Sequence, residues 1–283
     1  MSGDFIFAQQ QRPVPLVRLD SALLQHAAAF SLDPIGRFYV IDSENNQLLL
    51  LNSDGNLLKR IGGYGWTVLS FDRPTDVSAQ NGLDIYIADY GNHRIQHFDQ
   101  TLNYISSLYF RDNERSAERF GYPSGIAISS QGDLFISDQE NSRIVKVNRN
   151  ATFDKAFGGL DAGSGRLQHP GKVRAGANGN VYVQDGNALK VFDIFGNYLR
   201  TIGAGMFDDL RSFQFEQDTL CVLDGCKVMF MNEEGAVGNV VDLSRISPGK
   251  EGCIIKDILT RNGTMFILTS YSILSMPIPE KEE

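Results

Sequence analysis

Short strand-like segments that end in an acidic residue recur along this chain of 283 residues. The strand-ending positions are Asp42, Asp89, Asp138, Asp185, Asp224 and, in a weaker sixth copy, Thr269. These positions lie 47, 49, 47, 39 and 45 residues apart, which gives a mean of about 45. That period is typical of a four-stranded propeller blade and is too long for ankyrin or leucine-rich repeats. The repeat therefore predicts an all-β fold, a six-bladed β-propeller of four-stranded antiparallel blades.

The second copy shows how one unit divides into four strands. Its strand-like segments lie at residues 75–79, 85–89, 94–99 and 104–110. Asn81 and Gly82 separate the first two segments, and residues of this kind accept the positive φ angles of a tight hairpin turn. Hairpins placed side by side make an antiparallel blade, and a ring of such blades leaves only short, protected edges.

The two ends of the chain predict how the ring closes. The sixth unit ends after its third strand at residues 273–278, whereas an unassigned strand, PLVRLD, lies at residues 15–20. Because proteins avoid unpaired sheet edges, we expect residues 15–20 to supply the outer strand of the last blade. The chain is then a single domain, 1–283. We expect its blades to start near residues 27, 74, 123, 170, 211 and 254.

Two segments identify a family. Residues 73–99 and 122–148 resemble NHL repeats, and the first unit resembles them with Gln47 where the others have Arg94 and Arg143. Units four to six fit the blade plan but lack the Asn-x-Arg element. The resemblance implies that certain side chains fix the turn after each second strand and that two arginines bridge blades; these are Asn45, Asn92, Asn141, Arg94 and Arg143.

Composition narrows the classes of partner and compartment. The net charge of −8 repels phosphate backbones, so nucleic acid is an unlikely partner. No apolar run approaches the roughly 20 residues of a membrane-spanning helix, and residues 1–11 do not resemble a signal peptide. Several bacterial relatives of such propellers are exported, so the resemblance favours a periplasmic or secreted protein over a cytoplasmic one.

Cys221, Cys226 and Cys253 are either buried free thiols or include one bonded pair.

The loops that join one blade to the next are the candidate binding surface. They are long and unlike one another, at residues 62–74, 110–123, 158–170 and 203–210. Exposed aromatic and arginine side chains are the usual anchors of protein contacts. The candidate binding residues of this kind are Tyr64, Trp66, Arg111, Arg119 and Phe207. Whether Trp66 and Phe71 face a partner or pack between blades stays open at this stage. We expect a noncatalytic binding or scaffold protein whose partner is a protein, a peptide or a glycan.

The channel mouth suggests a different function. Alignment of the first strands places Asp76, Lys172 and Asp257 at equivalent inward positions. Related six-bladed hydrolases and lyases can hold Ca²⁺ or Zn²⁺ there, so a metal-dependent hydrolase or lyase is the alternative function. Lys172 opposes a cation, and no histidine set spans the blades. We therefore expect no metal, no cofactor and no catalytic residues. RNA binding, known for some NHL domains, is the second alternative.

Overall fold

The computed structural model describes residues 14–17, 24–246 and 254–278. Its strands form six antiparallel sheets of four strands each. Within these ranges the only helices are single 3₁₀ turns at Ser116–Glu118, Gly163–Gly165 and Ser244–Ile246. None of the helices in the described ranges has the length and apolar character needed to cross a membrane. The prediction of an all-β, six-bladed propeller is confirmed.

The first three blades follow one another along the chain. Blade 1 contains β2 (Ala27–Leu32), β3 (Phe38–Asp42), β4 (Gln47–Leu51) and β5 (Leu57–Gly62). Blade 2 contains β6 (Pro74–Ser78), β7 (Asp84–Asp89), β8 (Arg94–Asp99) and β9 (Tyr104–Leu108). Blade 3 contains β10 (Pro123–Ile128), β11 (Leu134–Asp138), β12 (Arg143–Val147) and β13 (Phe153–Phe157).

The last three blades have the same order, except that the sixth also uses the N-terminal strand. Blade 4 contains β14 (Pro170–Ala175), β15 (Asn180–Asp185), β16 (Leu189–Asp193) and β17 (Tyr198–Ile202). Blade 5 contains β18 (Leu210–Glu216), β19 (Thr219–Asp224), β20 (Lys227–Met231) and β21 (Val237–Asp242). Blade 6 contains β22 (Ile255–Arg261), β23 (Thr264–Thr269), β24 (Ile273–Pro277) and β1 (Val14–Val17).

Burial explains why the second strand of a blade has little alternation of apolar and polar residues. Every residue of β3 and β11 is buried, because neighbouring blades cover both faces of the sheet. A short continuous apolar run is the pattern expected of a strand buried on both sides. The fourth strands lie at the outer rim, and β5 has a mostly exposed pattern.

Antiparallel pairing sends the connections alternately to the two ends of the ring. The turn after each second strand and the long loop into the next blade lie at one end, which we call the loop face. The turns after the first and third strands lie at the other end, which we call the turn face. The central channel runs between the two faces along the first strands.

Apolar packing holds the blades together. Six clusters of buried apolar side chains each combine residues from two adjacent blades. The cluster of Phe30, Phe38, Val40, Leu259 and Leu268 joins blade 1 to blade 6, so this joint is packed like the others. Burial of apolar surface between blades is therefore the main contribution to the stability of the ring.

Pairing of β1 with β24 closes the ring. The register is antiparallel, with Val14 opposite Ser275, Pro15 opposite Leu274 and Val17 opposite Ile273. The prediction that the N-terminal strand closes the ring is confirmed. Of the segment 15–20 assigned to this strand, residues 18–20 lie outside the described part of the chain.

Deletion of residues 1–20 tests the contribution of this strand. Removal of β1 exposes the edge of β24, and an unpaired apolar edge promotes aggregation. We expect the truncated protein to be largely insoluble or to melt at a markedly lower temperature, as followed by circular dichroism. Deletion of residues 1–10 is the control, because it leaves β1 intact. An unchanged melting temperature after removal of residues 1–20 would contradict a stabilising role of the closure.

Candidate functional site

The strand-ending carboxylates hold the loop face in place. Each of the five accepts a hydrogen bond from the backbone of the loop that leads into its own blade. The pairs are Gln25 N with Asp42 (3.1 Å), Asp72 N with Asp89 (2.8 Å), Gly121 N with Asp138 (3.2 Å), Gln168 N with Asp185 (2.8 Å) and Asp209 N with Asp224 (2.6 Å). Asp42 and Asp138 also accept a hydrogen bond from the backbone of the turn that follows them, as is usual for Asp at such a position.

In blade 2 the carboxylate is the centre of a larger network. Asp89 Oδ2 accepts hydrogen bonds from Asn92 Nδ2 at 2.9 Å, Arg94 Nε at 2.8 Å and Gln96 Nε2 at 3.3 Å. Burial raises the pKa of Asp89, whereas the hydrogen bonds from the Asp72 backbone, Asn92 and Arg94 work in the opposite direction. A buried carboxylate with four donors, one on Oδ1 and three on Oδ2, has a structural role in this loop.

The same side chains hold the backbone of residues 62–73, the loop between blades 1 and 2. Arg94 donates to the carbonyl oxygens of Trp66 (2.8 Å), Thr67 (3.0 Å) and Ser70 (2.9 Å). Asn92 donates to Gly65 O at 2.8 Å and Gln96 to Ser70 O at 2.7 Å. Five side-chain hydrogen bonds to consecutive parts of one loop fix its conformation.

Apolar side chains of this loop point into solvent. Trp66 is 75% exposed and Tyr64 is 71% exposed, and Val68 and Leu69 are exposed beside them in sequence. Leu69 has a φ of 65°, a left-handed conformation that is unfavourable for a bulky side chain. Phe71, in contrast, is fully buried in the cluster between blades 1 and 2. The sequence left open whether Trp66 and Phe71 face a partner or pack between blades. In the structure Phe71 packs between blades and Trp66 faces solvent.

A row of alternating cationic and aromatic side chains lies beside this loop. The Arg73 guanidinium is 5.5 Å from the ring centre of Tyr90, and Arg111 is 5.9 Å from that of Tyr122. The two tyrosine rings are 5.1 Å apart, and His93 lies 4.1 Å from Tyr122. Burial and the Arg111 charge lower the pKa of His93, and its Nδ1 accepts a hydrogen bond from the Tyr122 backbone. A neutral imidazole is required for that contact.

The other three candidate binding residues, Arg111, Arg119 and Phe207, differ from Tyr64 and Trp66 in exposure or in hydrogen bonding. Arg119 is exposed and donates to Asn113 O at 2.6 Å. Arg111 Nη1 is buried without a hydrogen-bond partner, and Arg111 Nη2 is 3.7 Å from Glu140 Oε1. Phe207 is only 4% exposed and packs in the cluster between blades 4 and 5. Phe207 is therefore not part of the exposed surface, because its loop folds the ring over Gly203, where a side chain would collide with Phe207.

Sequence reasoning missed Val68, Leu69, Arg73, Tyr90 and Tyr122 as parts of this surface. Val68, Leu69 and Arg73 belong to the loop 62–74, which the sequence analysis identified. Their exposure depends on backbone conformations that these residue types disfavour. Arg73 has a φ of 51° and Tyr122 a φ of 49°, each directly before a proline. Residues before proline usually adopt extended conformations, so no local signal pointed to this geometry.

The channel residues are joined in ion pairs that cross the ring. Arg174 of blade 4 donates to both carboxylate oxygens of Asp76 in blade 2, at 2.9 and 3.3 Å. Lys172 of the same blade is 2.5 Å from Asp257 Oδ2 in blade 6, and Asp257 also accepts from the Ser212 hydroxyl. Burial opposes the charge of Arg174, but Asp76, with help from Asp257, holds its pKa above the ordinary value.

Both channel carboxylates also join neighbouring blades. Asp76 Oδ2 accepts from Ile126 N of blade 3 at 3.1 Å, and Asp257 Oδ2 accepts from Phe30 N of blade 1 at 3.2 Å. Each carboxylate thus has a cationic partner and a backbone donor. Within the described residues, no group of three or more His, Cys, Asp or Glu side chains has the arrangement of a metal site. The structure brings Asp76, Lys172 and Asp257 together, as salt bridges of the channel wall.

Ser106, His97 and Asp84 lie in a row that resembles a Ser-His-Asp triad. His97 Nε2 is 2.7 Å from Asp84 Oδ1, and Ser106 Oγ is 3.5 Å from His97 Nδ1. The three side chains belong to neighbouring strands of blade 2, and they do not line the cavity of about 350 Å³ in the mouth of the central channel. A nucleophilic serine needs a close base and a site that admits a substrate. This alignment is a surface hydrogen-bond row without such a site.

Comparison with known proteins agrees with the geometry. The NHL repeat model matches residues 71–98 and 120–147. Protein brain tumor of Drosophila melanogaster is 27% identical over 148 residues, which cover 51% of this chain and 14% of that protein. The B-box type zinc finger protein ncl-1 of Caenorhabditis elegans is 27% identical over 151 residues, which cover 52% of this chain and 17% of that protein. The matched region is thus less than a fifth of either relative.

The chain is a six-bladed β-propeller that contains two NHL repeats. Among solved structures, virginiamycin B lyase from Staphylococcus aureus has a similar fold, with a TM-score of 0.62 and 11% identity. The alignment covers 93% of this chain and 97% of the lyase. At this level of identity, the similarity concerns the fold alone.

Substitution of Asp89 tests whether the strand-ending carboxylate of blade 2 fixes the loop that carries Trp66. Asp89→Ala removes the acceptor of Arg94, Asn92 and Gln96, and should lower the free energy of unfolding by about 1–3 kcal/mol. Because Trp66 is the single tryptophan of the chain, its fluorescence anisotropy reports the mobility of this loop alone. We expect the anisotropy to fall in the variant.

Asp138→Ala is the matched control, because Asp138 makes the equivalent contacts with Asn141 and Arg143 in blade 3. It should cost similar stability and leave the anisotropy of Trp66 unchanged. Equal anisotropy in Asp89→Ala and in the unaltered protein would show that the loop does not depend on this network.

Proposed function

We propose that this NHL propeller is a noncatalytic binding protein that engages a protein or a peptide through the loop face. The observation that supports the proposal is the exposure of Tyr64, Trp66, Val68 and Leu69 on a backbone held by Arg94, Asn92 and Gln96. Exposed apolar clusters on a soluble surface commonly mark sites of protein contact.

Rigidity favours binding at this position. A side chain that is ordered before binding loses less conformational entropy when the complex forms. Leu69 has an unfavourable backbone angle, and strained backbone of this kind is concentrated at functional sites. Nothing in the packing of the ring requires Trp66 to be presented in this way, since Phe71 already fills the space between blades 1 and 2.

The chemistry of the surface indicates the class of partner. Trp and Tyr are enriched among the side chains that dominate binding energy in protein complexes, and Arg is the third such residue. Arg73 and Arg119 lie on the same face as Trp66, which suits a partner with an apolar anchor and an acidic rim. The aliphatic Val68 and Leu69 favour a polypeptide over a glycan, because a sugar ring needs polar groups beside the aromatic side chain.

A metal-dependent hydrolase or lyase at the channel mouth has less support. Asp76 and Asp257, the carboxylates that such a site would use, are each neutralised by a cation from blade 4 and bonded to a backbone amide. A divalent cation would have to displace Lys172 and Arg174 while losing its own hydration shell.

Single-stranded RNA is a second candidate partner, favoured by one feature. The row of Arg73, Tyr90, Tyr122 and Arg111 offers rings and guanidinium planes on which bases can stack. The excess of acidic residues over the whole chain works against it. The polypeptide partner is therefore the better-supported proposal.

An extracytoplasmic location forms part of the proposal. Cys226 is disulfide-bonded, and disulfides persist in oxidising compartments. Cys221 is a free buried thiol whose pKa burial raises to about 12, which makes it unreactive, while Cys253 lies outside the described residues. Fractionation of the native host measures the location directly, and recovery of the protein with a cytosolic marker would contradict it.

Alanine substitution of the exposed aromatics tests the binding proposal. We expect Trp66→Ala and Tyr64→Ala each to weaken capture of a specific partner by tenfold or more, which is the effect typical of an interface anchor. Binding of the purified partner should then shift the emission of Trp66, since that residue would pass from water into the interface. A single-stranded RNA pool, titrated by anisotropy, tests the second candidate in parallel.

Phe195→Ala is the matched control, because Phe195 is also an exposed aromatic residue but lies in the turn after β16 on the turn face. This variant should retain the partner. A partner lost equally from Phe195→Ala and Trp66→Ala would contradict binding through the loop face. RNA binding that depends on Arg73 and Tyr90, without a protein partner, would support the second candidate instead.

A further inference from the structure

The turn face carries a cavity that the loop-face proposal does not use. It has a volume of about 350 Å³ and lies in the mouth of the central channel. Its walls come from the first strands and following turns of blades 1, 2, 4, 5 and 6. The polar lining residues are Ser31, Asp33, Gln80, Arg174, Gln214, Gln217, Thr260 and Arg261, and the largest apolar ones are Phe215 and Leu259.

The salt bridges of the channel form the inner end of this cavity. Arg174 lines the cavity, is only 7% exposed and has its guanidinium directed to Asp76. Arg174 makes its bonds to Asp76 and to Val173 O through Nη1 and Nη2, and its Nε takes part in none of the hydrogen bonds of the described residues. We call this cavity at the turn face the recess; the Arg174–Asp76 ion pair lies at its inner end.

The charge of the recess is positive. Arg261 donates to the backbone oxygens of Asp33 (2.6 Å) and Pro34, and it forms no ion pair with an acidic side chain of the described residues. These two bonds use two of the five N–H groups of a guanidinium and hold it in place. Asp33, the single acidic side chain of the lining, is ion-paired with Arg37 at 2.6 Å and accepts from two backbone amides.

Neutral polar groups complete the wall. The side chain of Gln214 is buried, and its Nε2 donates to Thr260 Oγ1 at 2.9 Å. The side-chain oxygen Oε1 accepts no hydrogen bond from the described residues. A ligand hydroxyl is the natural donor to that oxygen. Phe215 and Leu259 supply an apolar side that an inorganic ion would not contact. The size of the recess also corresponds to the lower end of the range for organic ligands.

From these features we infer that the recess binds a small organic anion with hydroxyl groups, such as a sugar acid or sugar phosphate, whose anionic group is held by Arg261. The net charge of −8 does not oppose this, because a recess with low-dielectric walls focuses the field of its own charges. The inference is independent of the proposed function of the loop face.

Matched sugars test the inference. Glucuronate and glucose 6-phosphate carry the anionic group, glucose lacks it and glucosamine carries the opposite charge. Ligand-observed NMR at millimolar concentrations detects weak binding of each compound to the intact protein. We expect binding of at least one of the two anions and not of glucose or glucosamine.

Two variants locate the site. Arg261→Gln should weaken binding of the anion on the order of tenfold or more, the effect of a lost charge-assisted hydrogen bond. Since Arg261 also joins blade 6 to blade 1, Ala175→Phe provides a second variant that fills the recess without altering a charge. It should abolish binding, whereas Trp66→Ala on the loop face should not affect it. Equal binding of glucose and the anions, no binding of either anion, or binding unchanged in Ala175→Phe would overturn the inference.

Discussion

The loop face depends on one repeated interaction, the hydrogen bond from a loop backbone amide to the carboxylate at the end of a second strand. Antiparallel pairing brings that strand end next to the loop that enters the blade, and the carboxylate satisfies backbone N–H groups that the ladder cannot reach. Where the donor is buried, as Gly121 N is, loss of the acceptor would leave it unpaired at a cost of about 1–3 kcal/mol. The repeat of acidic residues is thus a repeat of loop attachments as well as of blades.

The channel uses charge in a different way from the loop face. Arg174 and Lys172 belong to one blade, and they extend to carboxylates of two other blades. Buried ion pairs of this kind often contribute little net stability relative to apolar packing, but removal of one partner leaves an uncompensated charge. The pairs therefore specify which side chains face one another across the ring, while the six apolar clusters supply most of the stabilisation.

The sequence was sufficient for the architecture, because the strand pattern recurs six times at a similar period and most copies also share turn residues. Closure by β1 followed from a strand count. The site was harder to predict. Tyr64 and Trp66 could be identified as aromatic residues in a long loop between blades. The burial of Phe207 and the exposure of Leu69 depend on how each loop folds over its neighbours. Arg174 was missed, although its position two residues after Lys172 places it on the same side of the strand.

The loop face and the turn face differ in the size of partner that each can accept, and the reason is geometric. Loops between blades can lengthen without disturbing a sheet, so the loop face can present side chains over a wide, convex area. Connections of two to five residues cannot, and the turn face is therefore shaped mainly by the inner strands that converge on the channel. Arg174 and Asp76 form the inner end of the recess. An extended polypeptide can contact Trp66 and its neighbours, whereas a recess of this size at the other mouth admits only a small molecule.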